Sequence, residues 1–300
     1  MTPFAPVRIQ RLPLGALALA TCALLLQACG GGGSSSTPVP ASTLPSVSAA
    51  TADRLSYGRA SIFTVTGANL STAVSYTATG CDNVTLLAGG SATQQRFSCT
   101  PNKALSVRVA ASASSAEIYT STAPVPKPQV TLSTTAGSIV IELEPSVVQL
   151  TVDNFLAYVN AGFYNTTIFH RIAPLGAGSN YIVQGGGFTG VAGNSLTAQS
   201  VLRAAIALES NKSLSNRRGS IAMARTSVAD SATAQFYLNV ADNTFLDYAS
   251  AASPGYAVFG HIVTGLAVID TMSAVATRTV GGYSNVPVTD IVLQTAAQTL

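Results

Sequence analysis

The sequence predicts a mainly β protein, in which a small all-β, sandwich-like domain precedes a closed β-barrel capped by two helices. Three observations lead to this fold class. Charged residues make up only 9% of the 300 residues, while Ser, Thr, Ala and Gly are abundant. Short runs that alternate apolar and polar residues recur along the chain, bounded by Gly, Asn and Pro. Two segments show helical periodicity instead. This composition is typical of exported β-rich proteins.

The first 28 residues have the pattern of a secretion signal. Arg8 and Arg11 form a basic segment, and the apolar run "LPLGALALATCALLLQA" follows. That run is too short and too close to the N-terminus for a good membrane-spanning helix. We therefore expect residues 1–28 to be a signal peptide that directs export.

The residues at the predicted cleavage point indicate a lipid anchor. "LQAC", which ends at Cys29, resembles the lipobox of bacterial lipoproteins, in which the cysteine becomes the lipidated first residue. Cys22 is a weaker acceptor because Thr21 precedes it. An ordinary cleaved secretion signal is the alternative. Residues 29–51, rich in Gly, Ser and Pro, would then be a tether.

Residues 52–123 contain strand-like runs such as "SIFTVTGANL" and "LSVRVAAS", which predict the small all-β domain. Cys81 and Cys99 form an even pair in an exported chain, so we expect a disulfide. No C-x-x-C or H-x-x-x-H spacing supports a metal site. We interpret this domain as a spacer or adhesion module. "PVPKPQ", residues 124–129, is a linker that we expect to let the two domains move independently.

Residues 130–300 are long enough for a core of their own. "VTLSTTAGSIVIELEP" predicts a hairpin, and "TVDNFLAYVNAG" predicts a helix with Thr151 as its cap and Gly162 as its stop. Five strand patterns follow, and a second helix begins near Gly265. Many strands with only two helices predict a closed, helix-capped barrel.

Several kinds of site are excluded by the residues. A net charge of +3 without a basic run gives no reason to expect nucleic-acid binding. "GGGFTG", residues 185–190, matches a dinucleotide-loop pattern, but no helical pattern follows it. No G-x-S-x-G motif is present. Strand alternation places His170 on the opposite face from Arg171, so we interpret His170 as structural. Arg171 lies among apolar strand residues and requires a partner or a pocket.

Three long stretches carry a family resemblance: "FYNTTIFHRI…VQGGGFTG", "RGSIAMARTSVADSATAQFYLNVADNTFLD" and "GYAVFGHIVTGLAVIDTM". They resemble the cyclophilin family of peptidyl-prolyl cis-trans isomerases, and most closely its bacterial periplasmic branch. The resemblance covers residues 130–300 in order. It implies a cyclophilin-like barrel that isomerises X–Pro bonds of exported polypeptides and assists envelope protein folding, without a cofactor or a metal.

The chemistry of the X–Pro bond explains which residues the reaction needs. Rotation is opposed by about 18–20 kcal/mol because the nitrogen lone pair is delocalised into the carbonyl. A catalyst needs an apolar pocket for the proline ring and a fixed cationic donor that bonds the nitrogen as it pyramidalises. By resemblance, Arg171 is that donor and Gln184 orients it. The substrate-binding positions that carry over are Tyr181, Ile182, Ala224, Arg225, Gln235, Tyr237, Phe245, Leu246 and Tyr256.

The chain departs from the family pattern in three ways. Twelve residues, 172–183, separate Arg171 from Gln184 where the family has about seven, with "LGAGS" as the insertion. Tyr237 replaces the usual Phe, so its hydroxyl must find a partner or face the groove. Phe245 stands where cyclosporin-sensitive members have Trp, so we expect weak cyclosporin binding.

These observations lead us to expect proline-containing polypeptides as substrates and a monomer held by a lipid anchor. The expected location is the bacterial cell envelope, facing the periplasm, on the outer membrane rather than the inner one. Two alternatives remain open. In the first, the insertion distorts the groove, and the domain is a non-catalytic proline-peptide-binding or chaperone module. In the second, the β domain is the functional part of an adhesion or binding protein.

Overall fold

The computed structural model describes residues 43–70, 74–102, 105–174, 181–212 and 214–300. Within these ranges, Thr43–Leu300 forms one compact unit. The predicted signal peptide, Cys29 and the first part of the tether lie outside the described residues, and so does the insertion at 175–179. Among the described residues, no helix has the length and apolar character needed to cross a membrane.

Seven strands form the N-terminal part of the described chain. They are β1 Ser46–Ala52, β2 Ser61–Ala68, β3 Val74–Thr79, β4 Cys81–Leu86, β5 Gln94–Pro101, β6 Leu105–Ala113 and β7 Ala116–Val125. One sheet has the order β1-β2-β5-β4 and the other β3-β6-β7. This is the strand order of constant-type immunoglobulin sandwiches, and it places the predicted all-β region in that architecture.

The sandwich has a regular apolar interior. Along β2, buried residues alternate with partly exposed ones, so Phe63 and Val65 face inward. The ring of Phe63 stacks on Phe97 of the neighbouring strand at 5.1 Å between centroids. Cys81 and Cys99 are joined in the predicted disulfide across the start of β4 and the end of β5.

The barrel is built from eight of the remaining strands. These are β8 Gln129–Thr134, β9 Gly137–Leu143, β10 Thr167–Pro174, β11 Tyr181–Gly185, β14 Ser220–Met223, β15 Phe236–Asn239, β16 Val258–Thr264 and β19 Ile291–Gln298. They close in the order β10-β11-β15-β14-β16-β9-β8-β19. Two hairpins lie outside it: β12 Phe188–Ala192 with β13 Ser195–Ala198, and β17 Thr277–Val280 with β18 Tyr283–Pro287. The closed, mainly β fold class is as predicted.

Both predicted helices are present, as α1 Gln149–Asn160 and α2 Leu266–Ser273. Thr151 is not the cap of α1, because the helix begins two residues earlier and Thr151 lies within its first turn. The carboxylate of Glu209 instead accepts bonds from the Thr151 backbone N–H at 2.9 Å and from its hydroxyl at 2.8 Å. An acid distant in sequence therefore accepts from a backbone N–H in the first turn, which has no acceptor within the helix.

The sandwich packs directly against the barrel. Tyr57 is 1% exposed and donates a hydrogen bond from its hydroxyl to the Asp153 carboxylate of α1 at 2.7 Å. The side-chain amide of Gln298 in β19 donates to the Tyr57 carbonyl at 2.8 Å. In the linker, the Lys127 ammonium lies 2.7 Å from the Glu144 carboxylate. The linker composition led us to expect independent domain motion, but these contacts join both parts in one unit.

Candidate active site

Two neighbouring barrel strands bring the predicted catalytic pair together. β10 and β11 are antiparallel, and Arg171 lies directly opposite Gln184. A guanidinium N–H of Arg171 donates to Oε1 of Gln184 at 3.2 Å. The amide nitrogen of Gln184 in turn donates to Oε1 of Gln235 at 2.9 Å. Because both ends of the Gln184 amide are engaged, the arginine is held in one position on the barrel wall.

A β-bulge adds a second side chain beside Arg171. Phe169 pairs with Gly185 and Arg171 pairs with Gln184, so His170 is an extra residue in β10. Regular alternation predicted opposite faces for His170 and Arg171, but the bulge breaks the alternation and both side chains line the same groove. The sequence therefore did not indicate His170 or Phe188 as groove residues.

His170 is neutral in this environment. Its side chain is 4% exposed and its ring lies 4.6 Å from that of Phe188. Burial, and secondly the charge of Arg171, lower the pKa of His170 to about 4. At neutral pH the imidazole that lines the groove is thus uncharged.

The groove has a volume of about 490 Å³ and collects most of the residues that the sequence indicated. Nine of the eleven predicted catalytic and substrate-binding residues line it: Arg171, Ile182, Gln184, Ala224, Arg225, Gln235, Tyr237, Leu246 and Tyr256. Tyr181 and Phe245 do not. Tyr181 is partly buried against the barrel core, and Phe245 is 59% exposed on a 3-10 turn.

The floor of the groove accommodates the additional hydroxyl of Tyr237. The ring is buried and packs edge-on against Tyr256, with centroids 5.8 Å apart. Its hydroxyl donates to Oδ1 of the fully buried Asn216 at 2.7 Å. The Asp247 carboxylate fixes Asn216, since it accepts from the Asn216 side-chain amide at 2.8 Å. The hydroxyl thus has the partner that its burial requires, and burial raises the pKa of Tyr237 so that it stays neutral.

The side chain of Arg225 braces one wall. Its guanidinium lies over the Tyr256 ring at 4.6 Å from the centroid. Its Nε donates to the Gly255 carbonyl at 2.9 Å, and a second N–H donates to the Thr226 carbonyl at 2.9 Å. The side chain thus supports the Tyr256 wall, and the resemblance implies that Arg225 contacts the substrate through its backbone.

The glycine run after Gln184 serves packing. Gly186 has a φ of 82°, and a Cβ placed there would lie 2.9 Å from the Tyr164 ring. A side chain at this position would therefore be both strained and obstructed. The strand β12, and not a helix, follows these glycines, so "GGGFTG" lacks the helix N-terminus of a phosphate loop.

A possible metal-ligand cluster lies apart from the groove. Glu142, Glu144 and His261 offer ligand atoms that lie within 4.8 Å of one another. The Lys127 ammonium is already 2.7 Å from Glu144 and 3.6 Å from Glu142. These carboxylates therefore have a cationic partner from the chain itself, and none of the four residues lines the groove.

Comparisons with known proteins support the motif resemblance. Residues 129–298 match the family described as cyclophilin type peptidyl-prolyl cis-trans isomerase/CLD. Peptidyl-prolyl cis-trans isomerase A of Dickeya dadantii is 47% identical over 167 residues, which cover 56% of this chain and 82% of that protein. A peptidyl-prolyl cis-trans isomerase of Acinetobacter baylyi is 46% identical over 158 residues, with 53% and 78% covered.

Among solved structures, a cyclophilin type peptidyl-prolyl cis-trans isomerase of Cryptosporidium parvum aligns with a TM-score of 0.46 and 22% identity, over 57% of this chain and 99% of that one. The sequence matches carry the assignment, because they span the barrel and its groove from the first strand to the last. The chain belongs to the cyclophilin-type peptidyl-prolyl cis-trans isomerase family, whose members are enzymes.

Proposed function

We propose that the groove beside Arg171 binds X–Pro segments of exported polypeptides and that Arg171 catalyses their cis-trans isomerisation. The observation that carries this proposal is the bonded series Arg171–Gln184–Gln235, which fixes a permanent cation next to a largely apolar floor. Its donors have defined directions because the guanidinium is planar.

The geometry supports a mechanism without proton transfer. The floor formed by Ile182, Tyr237 and Leu246 receives the proline ring by apolar contact. In the planar ground state the prolyl nitrogen is a poor acceptor, because its lone pair is delocalised. As the bond twists, the lone pair localises and can accept a bond from Arg171. The donor therefore binds the twisted state more strongly than either planar isomer, which lowers the barrier.

An arginine deletion with a matched control tests this placement. The full chain would be assayed by NMR exchange on a proline peptide, which requires no coupling protease. Arg171→Ala should lower kcat/KM by about 10²–10³, the usual effect of removing one preorganised donor. Arg217→Ala is the control, because that side chain is 70% exposed and does not line the groove.

The outcomes separate the competing functions. Turnover that collapses only in Arg171→Ala supports the proposed site. Equal turnover in both variants would refute the role of Arg171. Peptide binding with background turnover in the unaltered chain would favour the non-catalytic proline-peptide-binding module instead.

The proposal extends to an exported protein held by a lipid on Cys29 and facing the periplasm, with the outer membrane as its site. The signal pattern and the disulfide support export. The sandwich also has a suitable orientation. Ser46 pairs with Ala68 at one end, while Tyr57 contacts the barrel at the other. The six residue steps of β1 place the chain entry about 20 Å from the barrel-facing end, so the sandwich would hold the groove away from the membrane.

A cysteine exchange tests the anchor. Cys29→Ala should move the protein from the membrane fraction to the soluble fraction and remove the lipid from its N-terminal peptide in mass spectra. Cys22→Ala should leave both unchanged. Membrane retention of the Cys29→Ala protein would contradict the anchor.

A further inference from the structure

The end of the groove opposite the tyrosine floor has a wall that the sequence did not reveal. Part of the β17–β18 hairpin lines the groove beside His170 and Phe188. Its residues are Gly282 in the turn and Tyr283 and Ser284 at the start of β18. The hairpin turn uses Gly281 and Gly282 with φ values of 51° and 88°. Oδ1 of Asn194, in the turn of the β12–β13 hairpin, accepts from the Gly281 N–H at 3.0 Å. The two outer hairpins thus fix each other beside the groove.

Three aromatic side chains form a continuous series on this wall. The Phe188 ring contacts His170 at 4.6 Å and Tyr283 at 5.3 Å between centroids, both edge-to-face. His170 and Phe188 are 4% and 7% exposed, whereas Tyr283 is 48% exposed. Tyr283 is therefore supported by buried rings, while about half of it remains open to a ligand. A braced, half-exposed ring offers apolar area at little cost in conformational entropy.

The side chains of this wall suit an apolar substrate residue. Apart from Arg171, the described side chains that line this end come from His170, Phe188, Tyr283 and Ser284, and none of them is a carboxylate. A substrate that leaves the proline floor in this direction therefore meets an aromatic surface, and no described lining residue offers a negative charge to a basic side chain.

We propose that Tyr283, supported by Phe188 and His170, is a second substrate subsite that selects an aromatic or bulky apolar side chain one or two residues from the proline. This inference rests on the proposed function, because it requires the proline to lie beside Arg171. It deepens that function by naming the class of X–Pro segment that the groove prefers.

Two peptide series test the subsite with the full chain. One series is Gly-Ala-Ala-Pro-Xaa-Gly and the other is Gly-Xaa-Ala-Pro-Ala-Gly, with Phe, Leu, Ala or Lys as Xaa. The residue directly before proline stays constant, so the uncatalysed isomer ratio changes little. NMR exchange gives kcat and KM for each peptide. We expect Phe to exceed Ala by about three- to tenfold in kcat/KM in one series, the size of an aromatic pair contact.

The variants distinguish selection from a structural effect. Tyr283→Ala should reduce the Phe-to-Ala ratio to about one, mainly by raising KM for the Phe peptide. Tyr283→Phe should preserve the ratio, because it keeps the ring. Tyr248→Ala is the matched control, since Tyr248 is 43% exposed and does not line the groove.

Each result either supports or overturns the subsite. The subsite is supported if Tyr283→Ala loses the Phe-to-Ala ratio of kcat/KM while Tyr283→Phe and Tyr248→Ala keep it. Equal preference for Phe and Ala in both series, or a uniform loss over all peptides in Tyr283→Ala, overturns it. Arg171→Ala is measured alongside. If that variant keeps full turnover, the proposed function itself has failed, which is a separate outcome from the loss of the subsite alone.

Discussion

Lowering the pH from 7 to 5 should destabilise the fold through His170. Burial and the adjacent Arg171 lower the pKa of this imidazole from 6.5 to about 4, whereas in the unfolded chain it remains near its ordinary value. The unfolded state therefore binds the proton first as the pH falls. The contribution of His170 is complete above about pH 6.5 and is lost progressively between 6.5 and 4. At about 1.36 kcal/mol per pH unit, the loss is about 2 kcal/mol at pH 5 and about 3 kcal/mol at pH 4.

Urea unfolding followed by far-UV circular dichroism measures this effect, since the chain has no Trp to report by fluorescence. The free energy of unfolding would be obtained at pH 7 and pH 5 for the unaltered chain, His170→Gln and His261→Gln. Only the change between the two pH values matters, because His170→Gln also alters packing. His261 is the matched control, with a side chain that is 50% exposed.

Comparing the variants separates the contribution of His170 to the pH-dependent free energy of unfolding from the contribution of the carboxylates. Asp53 and Asp270 have lowered pKa values, from a backbone hydrogen bond and from the Arg218 side chain respectively. Their stabilising effect is lost mainly as the pH falls below their ordinary pKa of 3.8, which lies outside this range, and it is the same in all three proteins. We expect the loss between pH 7 and 5 to shrink by about 2 kcal/mol in His170→Gln and to remain unchanged in His261→Gln. Equal losses in all three proteins would refute the assignment of a buried, neutral His170.

Three further predictions concern stability. Tyr237→Phe removes the bond to buried Asn216 and should cost about 0.5–1.5 kcal/mol in urea unfolding, while isomerase turnover persists because the ring remains; a collapse of turnover would contradict its role as floor. Tyr57→Ala removes a side chain buried between sandwich and barrel and should lower the free energy of unfolding by about 3–5 kcal/mol. If hydrogen exchange in α1 is unchanged in this variant, the sandwich does not stabilise the barrel. Reducing the disulfide should lower the stability of the sandwich by about 3 kcal/mol, and identical melting curves with and without reductant would exclude this contribution.

The general architecture could be predicted because its signals are local. Alternating side chains and turn residues mark strands without knowledge of their partners. The sequence also supplied Arg171 and Gln184, because long family motifs surround both. It placed Phe245 at the groove by position alone, whereas the structure leaves this side chain 59% exposed outside it.

The features that sequence reasoning missed depend on pairing and packing between distant segments. At the bulge, β10 has one more residue than the part of β11 that pairs with it, and His170 is that extra residue. The sequence "IFHRIAP" does not reveal this, because the pairing depends on a separate strand. Tyr283 reaches the groove only through a hairpin about 100 residues after Gln184. Similarly, the linker composition indicated free motion, whereas burial of Tyr57 against α1 is a long-range contact.

The way in which the barrel closes has a consequence for the order of folding. The first barrel strand pairs with the last, and Val130 lies opposite Gln298. The sandwich can assemble from residues that emerge early, but β8 and β10 remain open edges until β19 has been made and delivered. Gln298 then also bonds the Tyr57 carbonyl, so the last strand joins the sandwich to the barrel as it closes the sheet. Closure of the isomerase barrel therefore depends on β19, the most C-terminal of its strands.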